Sequence, residues 1–178
     1  MNRKNLTVSW IITVTIIVVA LVYVYFFCNV ISEHTIVIVR HAEKESLTSP
    51  NPHLSAEGQI RAQELKRVLA DIPFDAIFVT EYYRTHETAD PLANYLGIVP
   101  IEFPANNTAD LYNEVKNNYR NKKVLIVGHS NTIPALIGMF QAEPVIQVSE
   151  NEYDNIFVIK SNINCTSPLL IMKYGEPN

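Results

Sequence analysis

Short runs of apolar residues alternate along the chain with longer segments in which apolar residues recur at helical spacing. The run at 35–39 is β-branched, apolar on both faces and too short for a helix, which is typical of a central strand in a covered sheet. Similar runs follow at 75–79 and 123–127, and two further β-rich runs lie at 156–159 and 169–172. The pattern therefore predicts five strands.

Helices are predicted between the first strands. Ser55 is a suitable helix cap, and the apolar residues after it recur every three or four positions, at Ala62, Leu65, Leu69 and Ile72. A helix-compatible stretch at 82–96 ends at Gly97, and another helix is expected at 132–140. Strands that alternate with helices predict an α/β domain, a three-layer sandwich with a mainly parallel central sheet flanked by helices.

The first part of the chain has a different pattern. Residues 8–27 carry no charge and are rich in Ile, Val, Leu and aromatic residues, a length that matches the hydrocarbon core of a bilayer. We expect one N-terminal transmembrane helix, with residues 1–32 as the membrane anchor, residues 8–27 in contact with the lipid bilayer, and residues 33–178 as the catalytic domain. Because Arg3 and Lys4 precede the apolar segment, the N-terminus is predicted to be cytoplasmic and the catalytic domain extracytoplasmic.

The charge of the chain excludes one broad class of partner. The formal net charge is -4, and because both basic residues of the N-terminal segment precede every acid, the rest of the chain is more acidic still. A nucleic-acid-binding protein normally has a basic face, so no nucleic-acid partner is expected. A local cluster of Arg and His is still compatible with binding a small anion.

Such a cluster is predicted at one edge of the sheet. Arg40 and His41 directly follow the first strand, His129 follows the third, and Arg84 lies five residues beyond the second. Ligand sites of mainly parallel α/β sheets lie at the carboxyl ends of the strands, so these four side chains are expected to converge.

Two Arg and two His residues together suit a phosphoryl group. A guanidinium group matches phosphate oxygens bidentately, and a neutral imidazole can attack phosphorus to form a covalent phosphoenzyme. A metal site is the natural rival for paired histidines, but neither histidine lies in an HxH or HExxH pattern. We therefore predict no metal ion and no cofactor.

The same residues carry a family resemblance. Arg40-His41-Ala42-Glu43 resembles the Arg-His-Gly motif of the histidine phosphatase (phosphoglycerate mutase-like) superfamily, and the chain is similar to its short, single-domain branch. The segment from Leu54 to Ala62 resembles the family's first helix, the segment from Thr80 to Ala89 its Ser-x-x-x-Arg-Ala-x-x-Thr-Ala sequence, and Val127-Gly128-His129 its second histidine. The resemblance implies that His41 is the phosphorylated nucleophile, that Arg40 and Arg84 bind the phosphoryl oxygens, and that His129 completes the pocket.

The chain departs from the family pattern at two positions, Ala42 for glycine and Thr80 for serine. The acid that protonates the leaving oxygen is not fixed by the pattern either. Glu43 is the first candidate because it is close to His41 in sequence, followed by Asp110 and then Glu81.

Two functions of different classes follow. The first is a metal-independent phosphatase that hydrolyses a phosphomonoester or a phosphoprotein through a phosphohistidine on His41. The alternative is a membrane-tethered module that binds a phosphorylated ligand with little or no turnover, a hypothesis motivated by Ala42 and by the missing obvious acid.

Overall fold

The chain was analysed as a computed structural model, which describes residues 3–30, 34–45, 49–141, 146–161 and 168–177, with side chains at 9–25 in the first helix. The helices are α1 Arg3–Val30, α2 Ala56–Leu69, α3 Tyr83–Leu96, α4 Thr108–Asn118 and α5 Ile133–Gln141. The strands are β1 His34–Arg40, β2 Ala76–Thr80, β3 Ile101–Phe103, β4 Lys123–Gly128, β5 Asn155–Ser161 and β6 Leu170–Lys173.

These strands form one six-stranded sheet in the order β3-β2-β4-β1-β5-β6. The pairs β3–β2, β2–β4 and β4–β1 are parallel, whereas β5 runs antiparallel to both β1 and β6. The three-layer α/β prediction is confirmed, but the sheet is mixed. The connection between β5 and β6 is too short for the helical crossover that parallel neighbours require, so these two strands pair antiparallel.

A hydrophobic core lies on each face of the sheet. Val37 and Val39 of β1 face one core, which also contains Leu65 of α2 and Leu92 of α3. The alternate residues of β1 face the other core, with Leu111 and Val115 of α4 and Leu136 of α5. Because both faces of β1 are covered, the strand is apolar at every central position.

The predicted membrane anchor is wrong. In the parts of the chain that the structure describes, no helix is long and apolar enough to cross a membrane. This finding contradicts three predictions: the transmembrane helix, the bilayer contact of residues 8–27, and a cytoplasmic N-terminus with an extracytoplasmic catalytic domain.

The start of α2 is packed directly against the segment that follows β1. Ser55 caps the helix by accepting a hydrogen bond from Gly58 N, and its own N–H donates to Glu43 O at 2.9 Å. Gly58 is buried at this contact, and a Cβ atom there would overlap the carbonyl oxygen of Glu43. Glycine is therefore required at residue 58 by close backbone approach.

We expect Gly58→Ala to lower the free energy of unfolding by about 1–3 kcal/mol, because the added methyl group meets backbone that has no room to give. Denaturant unfolding followed by circular dichroism measures the change. The matched control is Gly138→Ala in α5, where a Cβ meets nothing within 4 Å. The control is expected to be neutral or slightly stabilising, and equal losses in the two variants would contradict this account of Gly58.

Candidate active site

The sheet brings three of the predicted segments together at its carboxyl edge. Strands β2, β4 and β1 are consecutive neighbours in the sheet. Arg40 pairs with Gly128 in the β1–β4 register, and His41 N donates to Gly128 O at 3.0 Å. The two histidines that follow these residues have ring centroids 5.2 Å apart. The structure therefore places both histidines side by side, as predicted.

A cavity of about 450 Å³ opens at this edge. His41, Arg84 and His129 line it, and Arg40 lies buried beside it. The other lining residues are almost entirely polar: Lys44, Glu81, Tyr82, Ala105, Asn106, Ser130, Asn131, Thr132 and Glu150. A small, positively charged and strongly polar cavity is suited to a phosphoryl group.

The His41 ring is held in one tautomer. Its Nδ1 lies 2.7 Å from the carbonyl oxygen of Ala42, and because a carbonyl only accepts, Nδ1 carries the hydrogen. The lone pair is therefore on Nε2. The ring is 3% exposed, which keeps the nucleophilic nitrogen out of bulk water.

Both histidines are neutral in the ordinary pH range. Burial, with smaller contributions from His129, Arg40 and Arg84, lowers the pKa of His41 to about 2. Burial and the charges of Arg84 and Arg40 lower the pKa of His129 to about 4. A neutral imidazole is the form that attacks phosphorus, so the environment keeps His41 ready to react.

Arg40 is held through both Nη atoms, Nη2 by the Glu150 carboxylate, and its Nε is unpaired in the described part of the chain. Its Nη1 donates to the carbonyl oxygens of Ser149, Glu150 and Glu152 at 2.7–3.2 Å, and the Tyr153 ring centroid lies 4.0 Å from its Cζ. Its Nε is buried and has no partner among the described residues. Nε and Nη2 form the edge of a guanidinium that binds an oxyanion side-on, so that edge is directed to a ligand.

Arg84 has the same property. It is at the start of α3, and its Cζ lies 4.2 Å from the centroid of the Tyr82 ring. Its Nε is also buried without a partner in the described part of the chain. A buried, unpaired guanidinium donor is unfavourable in the free protein, and a bound anion removes that penalty.

A chain of hydroxyl groups holds His129. Its Nε2 is 3.0 Å from Thr80 Oγ1, which is 2.9 Å from Thr85 Oγ1. Thr85 Oγ1 in turn donates to Tyr82 O at 2.8 Å. Thr80 therefore keeps the hydroxyl function of the serine that it replaces in the family pattern.

The alanine at residue 42 is accommodated as well. Among the non-glycine residues that the structure describes, positive φ occurs at Asn121 and not at Ala42. Ala42 therefore has a backbone conformation open to any residue. Its methyl group is fully buried, and its N–H donates to Thr88 Oγ1 at 2.9 Å. The replacement of glycine by Ala42 leaves the position of the nucleophile intact.

The three candidate acids lie in different places. Both carboxylate oxygens of Glu43 accept from Arg61 Nε, at 2.7 and 2.9 Å, and Glu43 lines a second cavity. Asp110 is exposed at the start of α4, where it contacts the cap Asn107. Glu81 lines the phosphoryl cavity and accepts from Ala105 N at 2.9 Å.

Sequence reasoning did not find three residues near the site, Ser130, Glu150 and Tyr153. Glu150 accepts from Ser130 and forms an ion pair with Arg40, with Oε2 3.0 Å from Nη2. Glu150 and Tyr153 lie about 110 residues beyond Arg40, outside every strand end, and no local motif marks them. The one available signal was Ser130, directly after His129.

Comparisons with known proteins agree with this fold. Residues 36–107 match the model of the histidine phosphatase superfamily (branch 1). A 59-residue segment is 44% identical to the PE-PGRS family protein PE_PGRS11 of Mycobacterium tuberculosis. That match covers 33% of this chain and 10% of the other protein, so the chain spans about a tenth of the length of that relative.

Solved structures share the fold. A putative alpha-ribazole-5'-P phosphatase from Escherichia coli aligns with a TM-score of 0.65 at 14% identity, over 79% of this chain and 96% of its own. The protein histidine phosphatase SixA, complexed with tungstate, aligns with a TM-score of 0.62 at 12% identity, over 78% and 96%. A mycobacterial glucosyl-3-phosphoglycerate phosphatase aligns with a TM-score of 0.60 at 15% identity, over 72% and 90%.

The fold and the site thus define an α/β protein with a polar cavity beside two arginines and two histidines at the carboxyl edge of its sheet. Over residues 36–107 the chain is similar to the histidine phosphatase superfamily (branch 1).

The lowered pKa values give a testable titration pattern. Between pH 5.5 and 8 we expect the imidazole resonances of His41 and His129 to stay constant, because both rings are already neutral. His53, whose pKa the hydrogen bond and the charge of Glu87 raise, is the internal control, and its resonances are followed to higher pH until they shift. NMR spectra of the ¹³C-labelled protein measure all three. Arg84→Gln is expected to raise the pKa of His129, and a His41 midpoint near 6.5 would contradict the burial of its ring.

Proposed function

We propose that this protein is a phosphatase that hydrolyses a phosphomonoester or a phosphoprotein through a phosphohistidine on His41, with residues 33–178 as its catalytic domain. The proposal is carried by two buried Nε groups, those of Arg40 and Arg84, which lack partners among the described residues. The His41 ring in the same site has its lone pair on Nε2. Two unsatisfied cationic donors and a neutral nucleophile together fit a phosphoryl group.

The proposed reaction has two displacements. His41 Nε2 attacks phosphorus, the bond to the leaving oxygen breaks, and that oxygen departs with a proton from a nearby acid. Water then attacks the phosphorus of the phosphohistidine and gives a proton to the carboxylate that donated one in the first step. The bond between phosphorus and Nε2 breaks, inorganic phosphate leaves, and His41 is restored. Arg40, Arg84 and His129 stabilise the negative charge on the non-bridging oxygens in both steps.

Among the three candidate acids, the geometry favours Glu81. Glu81 lines the cavity that contains His41, whereas Glu43 is ion-paired with the buried Arg61 and borders the second cavity. Arg61 also donates to Tyr174 O at 3.1 Å, so the Glu43–Arg61 pair joins the segment after β1 to the end of the sheet. A structural role accounts for the contacts of Glu43.

The covalent step is tested by trapping the intermediate. When the full chain is mixed with a ³²P-labelled aryl phosphate and quenched, we expect an acid-labile label on the protein. His41→Asn is expected to lose both the label and turnover, because it removes the Nε2 lone pair that attacks phosphorus, while the Nε2 of His129 stays engaged with Thr80. His86→Asn is the control, since His86 pairs with Glu102 outside the cavity, and it should label as the wild type does.

If the wild-type protein binds phosphate but acquires no ³²P label and hydrolyses no substrate, the phosphatase is rejected and the phospho-ligand-binding module is favoured. Label that persists in His41→Asn would reject His41 as the nucleophile.

The assignment of the proton donor is tested by varying the leaving group. Loss of a general acid slows substrates with poor leaving groups far more than those with good ones. We therefore expect Glu81→Gln to lower kcat/KM about 100-fold on an alkyl phosphate and only a few-fold on 4-nitrophenyl phosphate. Glu43→Gln is the matched comparison, and it is expected to affect both substrates equally. The reverse pattern would restore Glu43 as the acid.

A further inference from the structure

The Glu150 carboxylate contacts the guanidinium group of Arg40, which is expected to bind the phosphoryl group. Glu150 Oε2 lies 3.0 Å from Arg40 Nη2, and Glu150 Oε1 accepts a hydrogen bond from the Ser130 hydroxyl. Glu150 also lines the cavity together with His41 and His129. The mechanism above gives this negative charge no role.

The contacts of Arg40 restrict where an oxyanion can bind. Nη1 is occupied by the carbonyl oxygens of Ser149, Glu150 and Glu152, so a phosphoryl oxygen has access to Nε and Nη2. Nη2 is the nitrogen that Glu150 already holds. A bound phosphoryl group and the Glu150 carboxylate are therefore neighbours on one guanidinium edge.

The charged groups around Glu150 come from several elements. Arg40 and Lys44 come from β1 and the segment after it, Arg84 from α3 and Glu81 from the segment before α3. His129 is neutral above about pH 5, since its pKa is lowered to about 4. On the same turn as Glu150, the Glu152 carboxylate accepts from Ser149 N, and the Tyr153 ring lies over Arg40.

Glu150 is ionised at neutral pH, because the hydrogen bond from Ser130 and the charge of Arg40 lower its pKa. Two negative groups on one guanidinium edge repel each other, and solvent around the Glu150 side chain, which is 76% exposed, screens part of that repulsion. A doubly charged phosphoryl group meets twice the repulsion that a singly charged group meets.

We infer that Glu150 is a specificity-determining residue that makes the site sensitive to the charge state of the phosphoryl group, because it weakens the binding of a doubly charged anion on Arg40 more than that of a singly charged anion. The inference rests on the proposed function to the extent that the cavity is the phosphoryl site. It applies to binding and does not require turnover.

The test is binding of inorganic phosphate to the full chain at pH 5.5 and pH 8, measured by calorimetry. Phosphate passes from a singly to a doubly charged anion between these values, whereas His41 and His129 remain neutral. Because Arg40, Arg84 and Lys44 attract both anions, the effect of Glu150 is measured as the change in affinity that its replacement causes at each pH. Glu150→Gln, which keeps the shape and the acceptor oxygen, is expected to bind phosphate several-fold more tightly than the wild type, with a larger gain at pH 8 than at pH 5.5.

Glu152→Gln is the matched control, because Glu152 is on the same turn and its carboxylate does not contact Arg40 in the described structure. It should retain the wild-type pH dependence. Glu150→Ala is the second charge-removing variant, and it is expected to tighten binding at pH 8 if Glu150→Gln does not fold.

The direction of the change separates this inference from a purely structural role. If Glu150 served only to hold Arg40 in place, its replacement would weaken phosphate binding at both pH values, and that result would overturn the inference. Unchanged binding in both Glu150 variants would overturn it as well. Phosphate binding with the expected pH response but no phosphohistidine would instead reject the proposed function and leave this inference standing.

Discussion

Two guanidinium groups, whose Nε donors are buried and unpaired among the described residues, set the constraint on which the site depends. A buried charge is tolerated where hydrogen bonds replace its hydration. Arg40 meets this condition at its two Nη atoms, through three carbonyl oxygens of the turn before β5 and the Glu150 carboxylate, but not at Nε. A bound anion satisfies the remaining donors of Arg40 and Arg84. Burial, together with the charges of these two arginines, keeps the two histidines neutral.

Hydrogen bonds with threonine hydroxyl groups fix the positions of the two histidines. Thr88 receives the backbone N–H that follows His41 and donates to Arg84 O at 2.6 Å. Thr80 and Thr85 connect His129 to the start of α3 in the same way. The segment after His41 and the His129 ring are therefore tied to the end of β2 and to α3, which together support groups contributed by β1 and β4.

Much of the fold and of the cradle is predictable from sequence for a definite reason. Strands covered on both faces are continuously apolar, so their carboxyl ends are visible in the sequence, and Arg40, His41 and His129 stand directly at those ends. β3 is too short and too exposed to leave such a pattern. The sheet is mixed because β5 runs antiparallel to β1, and amino-acid composition does not encode the direction of a strand. The apolar composition of 8–27 predicted a membrane span, which the described part of α1 does not support. Glu150 and Tyr153 were missed because their role comes from a tertiary contact with Arg40 across the whole domain.

The turn that holds Arg40 has a consequence for how such domains are recognised. Every family-like motif of the nucleophile and of Arg84 lies within the first part of the chain, and the matched family segment ends at residue 107. The carbonyl oxygens that fix the catalytic arginine come from residues 149–152, more than forty residues later. A shortened gene product or an engineered fragment that retains all the signature residues but ends before this turn would carry an arginine free to swing away from its ligand. A chain can therefore contain every motif residue and still lack a complete site. The complete site also requires the turn that leads into the antiparallel strands β5 and β6.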